Sequence, residues 1–423
     1  MLETLRNAWK IEDLRKKIIF TLIMLFIYRL GTFVPVPGVD SSFIKAIIDQ
    51  SGLLGFFNII SGGAFGNFTI FALSITPYIN ASIIMNLLTV AIPKLEALAK
   101  EGEEGRKKIA QYTRYFTVIL AFIQAIGITF GMLRGSGALV ENNVWTYLTV
   151  CLTLTAGTAF MMWLGEQITE RGIGNGISLI IFTSIISRGP IAVVNLFNLA
   201  FRAKQINPLL LIVMLVFMIA LIAGVIFIDM GQRRIPVQYS KRVIGRKIYG
   251  GQSTHIPMKV NSSGVLPIIF AVSILAVPQT IAQFMSQSSG FVKWVDKYFS
   301  QDSGLYAALY ALLIIFFTYF YTQITFNPIE ISNNLRQYGG FVQGIRPGKP
   351  TADYLARISN RLTLVGALFL ALIAIIPIVV TAITKVPMSF GGTAVLIVVG
   401  VAMETSKELE SQMLMRHYKG FLK

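Results

Sequence analysis

The strongest constraint on this chain is a series of long apolar stretches that carry at most one charge each. A helix needs about 20 apolar residues to cross roughly 30 Å of hydrocarbon. Ten such runs are read here: 18–36, 71–92, 115–133, 145–165, 176–197, 207–228, 263–285, 304–327, 362–380 and 390–406. The fifth is expected to be interrupted at Arg188-Gly189-Pro190. A soluble domain of this length would carry about 25% charged residues, and its helices would each show a polar face. This chain has 13% among 423 residues. The expected fold class is an all-α polytopic membrane protein with ten transmembrane helices.

One apolar stretch does not fit that pattern. Residues 56–68, FFNIISGGAFGNF, are uncharged, yet they are too short to span and are broken by Gly62, Gly63 and Gly66, which weaken a helix. Non-helical backbone at membrane depth survives only inside protein or against a water-filled cavity. The stretch is therefore expected to be re-entrant or interfacial.

Ten spans place both termini on one side. Of the 37 Lys and Arg residues, 28 fall in segments sharing that side and 8 in the opposite segments, with Arg29 inside the first run. Positive residues accumulate in cytoplasmic loops, so both termini are expected in the cytoplasm, and the net charge of +17 is mainly a record of topology and of contact with anionic lipid. Residues 1–17 are charged, and the apolar run after them has no small-residue cleavage site, unlike a removable signal. Leu2, Leu5 and Trp9 suggest an interfacial helix.

Two loops on the basic side exceed what topology requires. Residues 230–262 hold seven basic residues, including Arg242, Arg246 and Lys247, and no acid. Ile235, Val237 and Tyr239 alternate with polar neighbours, and Ile248-Tyr249 follow after a glycine-containing turn, a pattern that predicts a protruding hairpin. In residues 328–361, Gly344-Ile345-Arg346-Pro347-Gly348 reads as a tight turn with Arg346 at its tip. Ordered basic protrusions suit an acidic or phosphate-rich macromolecule, with lipid headgroups the alternative.

Several chemistries find no support. Cys151 stands alone in an apolar run, and His255 and His417 lie in charged, non-spanning segments, so neither a disulfide nor a metal site is expected. The string 344–351 is one residue short of a phosphate loop, and Pro350 separates its lysine from its threonine. Gly172, Gly174 and Gly176 have the wrong spacing for a dinucleotide fingerprint. The acids Glu166, Glu170, Asp229 and Glu404 sit at run ends, whereas coupled transporters place ionisable groups near the midplane. Arg29, near the outer end of the first run, is read as snorkelling or pairing locally. No enzyme activity, cofactor or energy source is expected, so directional work must come from a partner.

The second run combines Thr76, Asn80, Ser82 and Asn86 with Ile75, Ile79 and Ile83 at i, i+4 and i+8, and the third contributes Gln124. Such polar groups hold helices together or line a seam that tolerates water or a polypeptide. An isoleucine stripe packs against neighbours or lipid, or forms a hydrophobic constriction that gates by dewetting.

Seven strings, SGGAFGNFTIFALSITPYINASII, EGRKKIAQYTRY, WLGEQITERGIGNGIS, GQRRIPVQYSKR, GGQSTHIPMKVN, GFVQGIRPG and FGGTAVLIVVG, occur in an order and spacing that closely resemble the bacterial SecY family. Its members are channel subunits of the general protein translocase. The resemblance runs from the first span to about residue 420. It implies two pseudosymmetric inverted halves, 18–200 and 201–410, a cytoplasmic tail at 411–423, and a protein-conducting channel in the bacterial plasma membrane. The pore ring would be Ile75, Ile79, Ile177, Ile181, Ile269 and Ile397. Stiff β-branched side chains make a gasket without hydrogen bonds that would trap a passing chain.

Residues 53–68 would be the plug, with Phe56, Phe57, Ile59, Ile60, Gly62, Gly63 and Phe65 seated on that ring and the glycines giving the freedom to leave. The lateral gate would lie between spans two–three and seven–eight, with Asn86 and Gln124 as its polarity. Arg346, Arg242, Arg246 and Lys247 would face the SecA motor or the ribosome. SecE and SecG would be companion subunits, and secretory precursors, signal sequences and membrane lipids would be the other partners, with no direct DNA binding. From the residues alone, a solute transporter and a scaffold without a continuous pore remain the rival classes.

Overall fold

The computed structural model describes residues 2–44, 58, 61–133, 137–202, 208–239, 242–244, 247–249, 253–283, 285, 289–300, 303–384 and 392–420. Every one of the ten apolar runs coincides with a helix. These are α2 (Glu12–Gly31), α3 (Thr76–Ala91), α5 (Glu103–Gly127), α6 (Val144–Arg171), α7 (Gly176–Phe197), α8 (Pro208–Met230), α9 (Leu266–Gln283), α11 (Gly304–Thr325), α13 (Lys349–Thr384) and α14 (Gly392–Gly420). Shorter helices are α1 (Leu2–Lys10), α4 (Pro93–Lys100), α10 (Gly290–Tyr298) and α12 (Pro328–Gln337).

Length and composition do not by themselves return ten spans. Among the described residues five helices are long and apolar enough to cross a membrane, and α3 with α4 passes only as a pair bent by 98°. Within α7 and α9 only the shorter apolar stretches Gly176–Ile191 and Leu266–Gln279 register, and these are below the length required. At the bend, Ile92 leaves the helical region and Pro93 starts the next helix, because the residue before a proline is pushed towards extended backbone.

Pro190 does not interrupt the fifth run, contrary to expectation. Helix α7 continues through it to Phe197. One missing backbone bond is tolerated because the neighbouring carbonyls and amides find no water in apolar surroundings and keep their helical partners. Both α5 and α7 end in a short π-helical turn, Ile128–Leu133 and Asn198–Arg202.

Helices α2, α3, α5, α6 and α7 pack chiefly on one another, as do α8, α9, α11, α13 and α14. The two groups meet where α7 lies against α14, and where α9 lies against α3 and α5. The N-terminal α1 also crosses this divide. Ala8 packs with Leu14, Ile173 and Leu409, and the Lys17 Nζ donates to Gln412 Oε1 at 3.2 Å. Trp9 is exposed. Leu2 and Leu5 lie in α1, so the expected helix is present.

Among the described residues, the helical body carries a three-stranded sheet and a separate two-stranded hairpin. The alternation read at Ile235, Val237 and Tyr239 becomes β1 (Gln232–Tyr239), paired antiparallel with β4 (Ser253–Lys259), with Ile235 and Val237 buried. Between them, β2 (Arg242–Ile244) and β3 (Lys247–Tyr249) form a separate hairpin. A third strand, β5 (Gly340–Val342), adds to the free edge of β1 with Val237 opposite Val342. The two basic loops thus share one sheet, over a core that includes Leu335, Leu355 and Ile358.

Candidate functional site: an isoleucine cluster and the segment beside it

Residues 69–75 make a compact turn, and α3 starts at Thr76 with Pro77 in its first turn. Ser74 adopts φ +54°, a conformation that costs a non-glycine residue on the order of 1 kcal/mol. Ile75 then caps the helix at 0% exposure. One turn later Ile79 is on the same face and also buried. Ile181 on α7 and Ile397 on α14 are each 3% exposed. All four belong to one hydrophobic cluster, against which Ile177 of α7 and Ile269 of α9 pack as half-buried members. Six isoleucines far apart in sequence, on four helices, are therefore members of one extended hydrophobic cluster, which also takes in Tyr28, Phe299, Tyr306 and Leu370.

The described part of the short apolar stretch, Asn58 and Ser61–Phe68, lies beside this cluster. Ala64 belongs to the isoleucine cluster. Phe65 does not: it is buried with Phe68 against Ala121, Ala125, Val150 and Leu154 of α5 and α6. Phe56, Phe57, Ile59 and Ile60 lie outside the described residues. Gly62 and Gly63 have φ +64° and +94°, and a Cβ at Gly63 would run into the guanidinium of Arg188. These glycines are thus required by a left-handed turn and by close approach, not by freedom of motion alone.

Polar contacts tie the segment to α2 and α7. Tyr28 shares a 2.5 Å hydrogen bond with Ser184 and donates to the Ser61 carbonyl at 3.3 Å. Arg29 donates to the Gly62 carbonyl at 2.9 Å and lies over the Phe33 ring at 4.9 Å, so it pairs locally, as expected, though with a partner the sequence did not identify. Arg188 donates to Asn58 Oδ1 at 3.2 Å. The end of the segment is stitched to the strand-like stretch after α2: Val36 N–H donates to the Phe68 carbonyl and Ile70 N–H to the Val34 carbonyl, both at 3.0 Å.

At the seam between the two groups, Asn86 Nδ2 on α3 donates to the Tyr321 hydroxyl on α11 at 3.4 Å, a long bond. The Tyr321 ring is edge-on to Phe270 of α9, 5.3 Å between centroids. Gln124 is half-buried on α5 and makes no side-chain hydrogen bond among the described residues.

The Arg346 turn is held from below. Gly344 and Gly348 have positive φ. Ser332 donates to the Gly348 carbonyl at 2.6 Å, and Thr351 Oγ1 donates to the Arg346 carbonyl at 2.8 Å. Arg346 is exposed at the tip. Arg242 lies on β2 and Lys247 on β3, and Arg246 falls outside the described residues. Sequence reasoning did not single out Asn58, Tyr28, Ser184 or Tyr321, and it read Arg188 only as part of an expected break in the fifth run.

A family profile described as SecY matches residues 69–406. The protein translocase subunit SecY of Halalkalibacterium halodurans is 47% identical over the whole of both chains, and that of Bacillus subtilis 46%, also over the whole of both. Among solved structures, a SecY protein whose plug domain stabilises the closed state of the translocation channel superposes with a TM-score of 0.68 at 20% identity, covering 95% of this chain and 92% of that one. Sec61 in the canine ribosome–channel complex gives 0.61 at 19% identity, covering 95% and 93%.

Proposed function

Because the chain belongs to the SecY family, we propose that it is a passive, gated conduit through which unfolded polypeptides cross the membrane and membrane segments leave sideways into lipid. The observation that carries this reading is that Ile75, Ile79, Ile177, Ile181, Ile269 and Ile397 all belong to the extended hydrophobic cluster shared by the two groups of helices, with an uncharged, glycine-turned segment docked beside it. In this reading the ten helices are spans in two halves, the isoleucines seal the narrow point, and residues 53–68 plug it. The seam of α3 and α5 against α9, with Asn86 bonded to Tyr321, is the lateral gate. The distribution of Lys and Arg supports cytoplasmic termini in a bacterial plasma membrane.

The sheet and the Arg346 turn are then the docking surface for the SecA motor or the translating ribosome, and SecE and SecG complete the channel. Likeness to Sec61 from a ribosome–channel complex supports the ribosome as a partner. The test is to stall a secretory precursor in the reconstituted channel and cross-link it from probes at Ile79, Ile181 and Ile269. The precursor is expected to label all three, and labelling at none would remove the pore assignment.

Arg346→Glu is expected to lower motor-driven transport by about tenfold or more, because charge reversal at an exposed tip turns attraction to an acidic or phosphate surface into repulsion. Membrane insertion and folding should be unchanged, since the turn is held by Ser332, Thr351 and backbone. Unaltered transport rates would take Arg346 out of the docking surface.

A further inference from the structure

Between the long apolar helices α9 and α11, the short helix α10 (Gly290–Tyr298) is sorted by chemistry around its circumference. At about 100° per residue, Val292 and Val295 share one side with Phe299, which follows the helix, and all three are buried. Val295 and Phe299 belong to the same cluster as the isoleucines. The Phe299 carbonyl also accepts a 2.7 Å hydrogen bond from the buried Gln279 Nε2 of α9. The helix is thus fixed to the body along this side.

The next side is a row of aromatic rings. Phe291 stacks on Trp294 with 6.2 Å between centroids, and Trp294 meets Tyr298 at 5.8 Å. Trp294 is nonetheless 47% exposed. Lys293 and Lys297 come next, one turn apart and exposed, and Lys297 lies over the Tyr298 ring at 5.3 Å. Neither lysine forms an ion pair among the described residues. Asp296 falls opposite the aromatic row by the same angular count.

An open row of rings is unfavourable in bulk water and favourable at a membrane boundary, where Trp and Tyr collect. Lysines beside such a row lay their stems along it and raise their ammonium groups to the level of the lipid phosphates. The connections 284–289 and 299–303 are too short to carry α10 far from the ends of α9 and α11. Basic residues are sparse on this side, 8 of 37, so topology does not call for two on one short helix.

We propose that α10 is a lipid-binding helix, with its aromatic row at the membrane boundary and Lys293 and Lys297 on the phosphate of an anionic glycerophospholipid, in the leaflet opposite the three-stranded sheet. The proposal rests on the reading of α9 and α11 as spans.

The test uses the full chain carrying Trp9→Phe, Trp145→Phe and Trp163→Phe, which leaves Trp294 as its one tryptophan. It is reconstituted in vesicles containing either brominated phosphatidylglycerol or brominated phosphatidylcholine. Both lipids are expected to quench Trp294, with the anionic one preferred about fivefold or more, the scale of one lysine near an anionic surface. Lys293→Gln together with Lys297→Gln should keep the quenching and bring the ratio to about one. A second measurement needs no substitution. In the parent chain assembled with its partner subunits, photoreactive phosphatidylglycerol should label the 290–298 peptide more than photoreactive phosphatidylcholine does.

Equal quenching by the two lipids, or a preference that survives loss of both lysines, would overturn the headgroup site. Absence of quenching, or labelling lost on assembly, would overturn it too, by showing water or a subunit over the aromatic row. Ser289→Cys and Tyr338→Cys, each in a Cys151→Ser background, separate the two levels. Labelling by an impermeant maleimide from opposite sides upholds the spans whatever the lipids do, and labelling from one side removes spans and site together.

Discussion

Replacing Ile79, Ile181, Ile269 and Ile397 together by glycine is expected to raise the resting conductance of the reconstituted channel by an order of magnitude or more. The four residues come from α3, α7, α9 and α14 and share one cluster. No single helix can close the gap by a small shift. A narrow apolar constriction stays dry because water there has too few hydrogen-bond partners, and widening it lets a continuous file of water form. Replacing one isoleucine alone should do far less, since five neighbours remain to fill the space. Single-channel recording in planar bilayers is the measurement, and conductance equal to that of the parent would count against the isoleucine seal.

Val237→Asp is expected to abolish motor-driven transport while leaving the resting seal intact. Val237 is 1% exposed and pairs with Thr254 on one side and Val342 on the other. A carboxylate there has no partner in a core of Ile235, Met258, Leu335 and Leu355, and burying it unpaired costs on the order of 3 kcal/mol or more. The sheet has only three strands, and its central strand is the one hit, so loops 230–262 and 328–361 should come apart together. Protease cleavage in both loops would report this. Cleavage confined to the first loop would show that the second keeps its shape without the sheet.

The helical body was legible because membrane burial forces it: an apolar run of about 20 residues has no alternative to satisfying its own backbone. Each of the ten runs from 18–36 to 390–406 accordingly meets a helix. Strand β1 was legible through the alternation at Ile235, Val237 and Tyr239, but its partner was not: Ile248-Tyr249, expected to follow it in the hairpin, pairs with β2, and β1 pairs with β4. Strand β5 was not, since Gly340-Phe341-Val342 is three residues long and its pairing is decided by what lies across from it.

The isoleucine convergence illustrates the same limit. Periodicity exposes the stripe of Ile75, Ile79 and Ile83 on one helix, but it says nothing about Ile177, Ile269 or Ile397 on others. Their roles entered through resemblance to a family, and the structure then brought them into one cluster. Pro190 was misread because proline is a strong breaker in water and a weak one among packed apolar helices. The contacts of Arg188 and Tyr28 with the segment, and of Tyr28 with Ser184, join residues more than thirty positions apart, and no local pattern encodes them.

Helix α13 starts at Lys349, three residues after Arg346, and runs unbroken for 36 residues. At 1.5 Å per residue it is about 54 Å long, against roughly 30 Å of hydrocarbon. Its first turns therefore stand clear of the membrane, and its remainder passes through, flanked by α11 and α14. Anything seated on the Arg346 turn grips the handle of a stiff shaft. A tilt applied there is delivered across the bilayer and to the helices packed along it, in mechanical rather than chemical form.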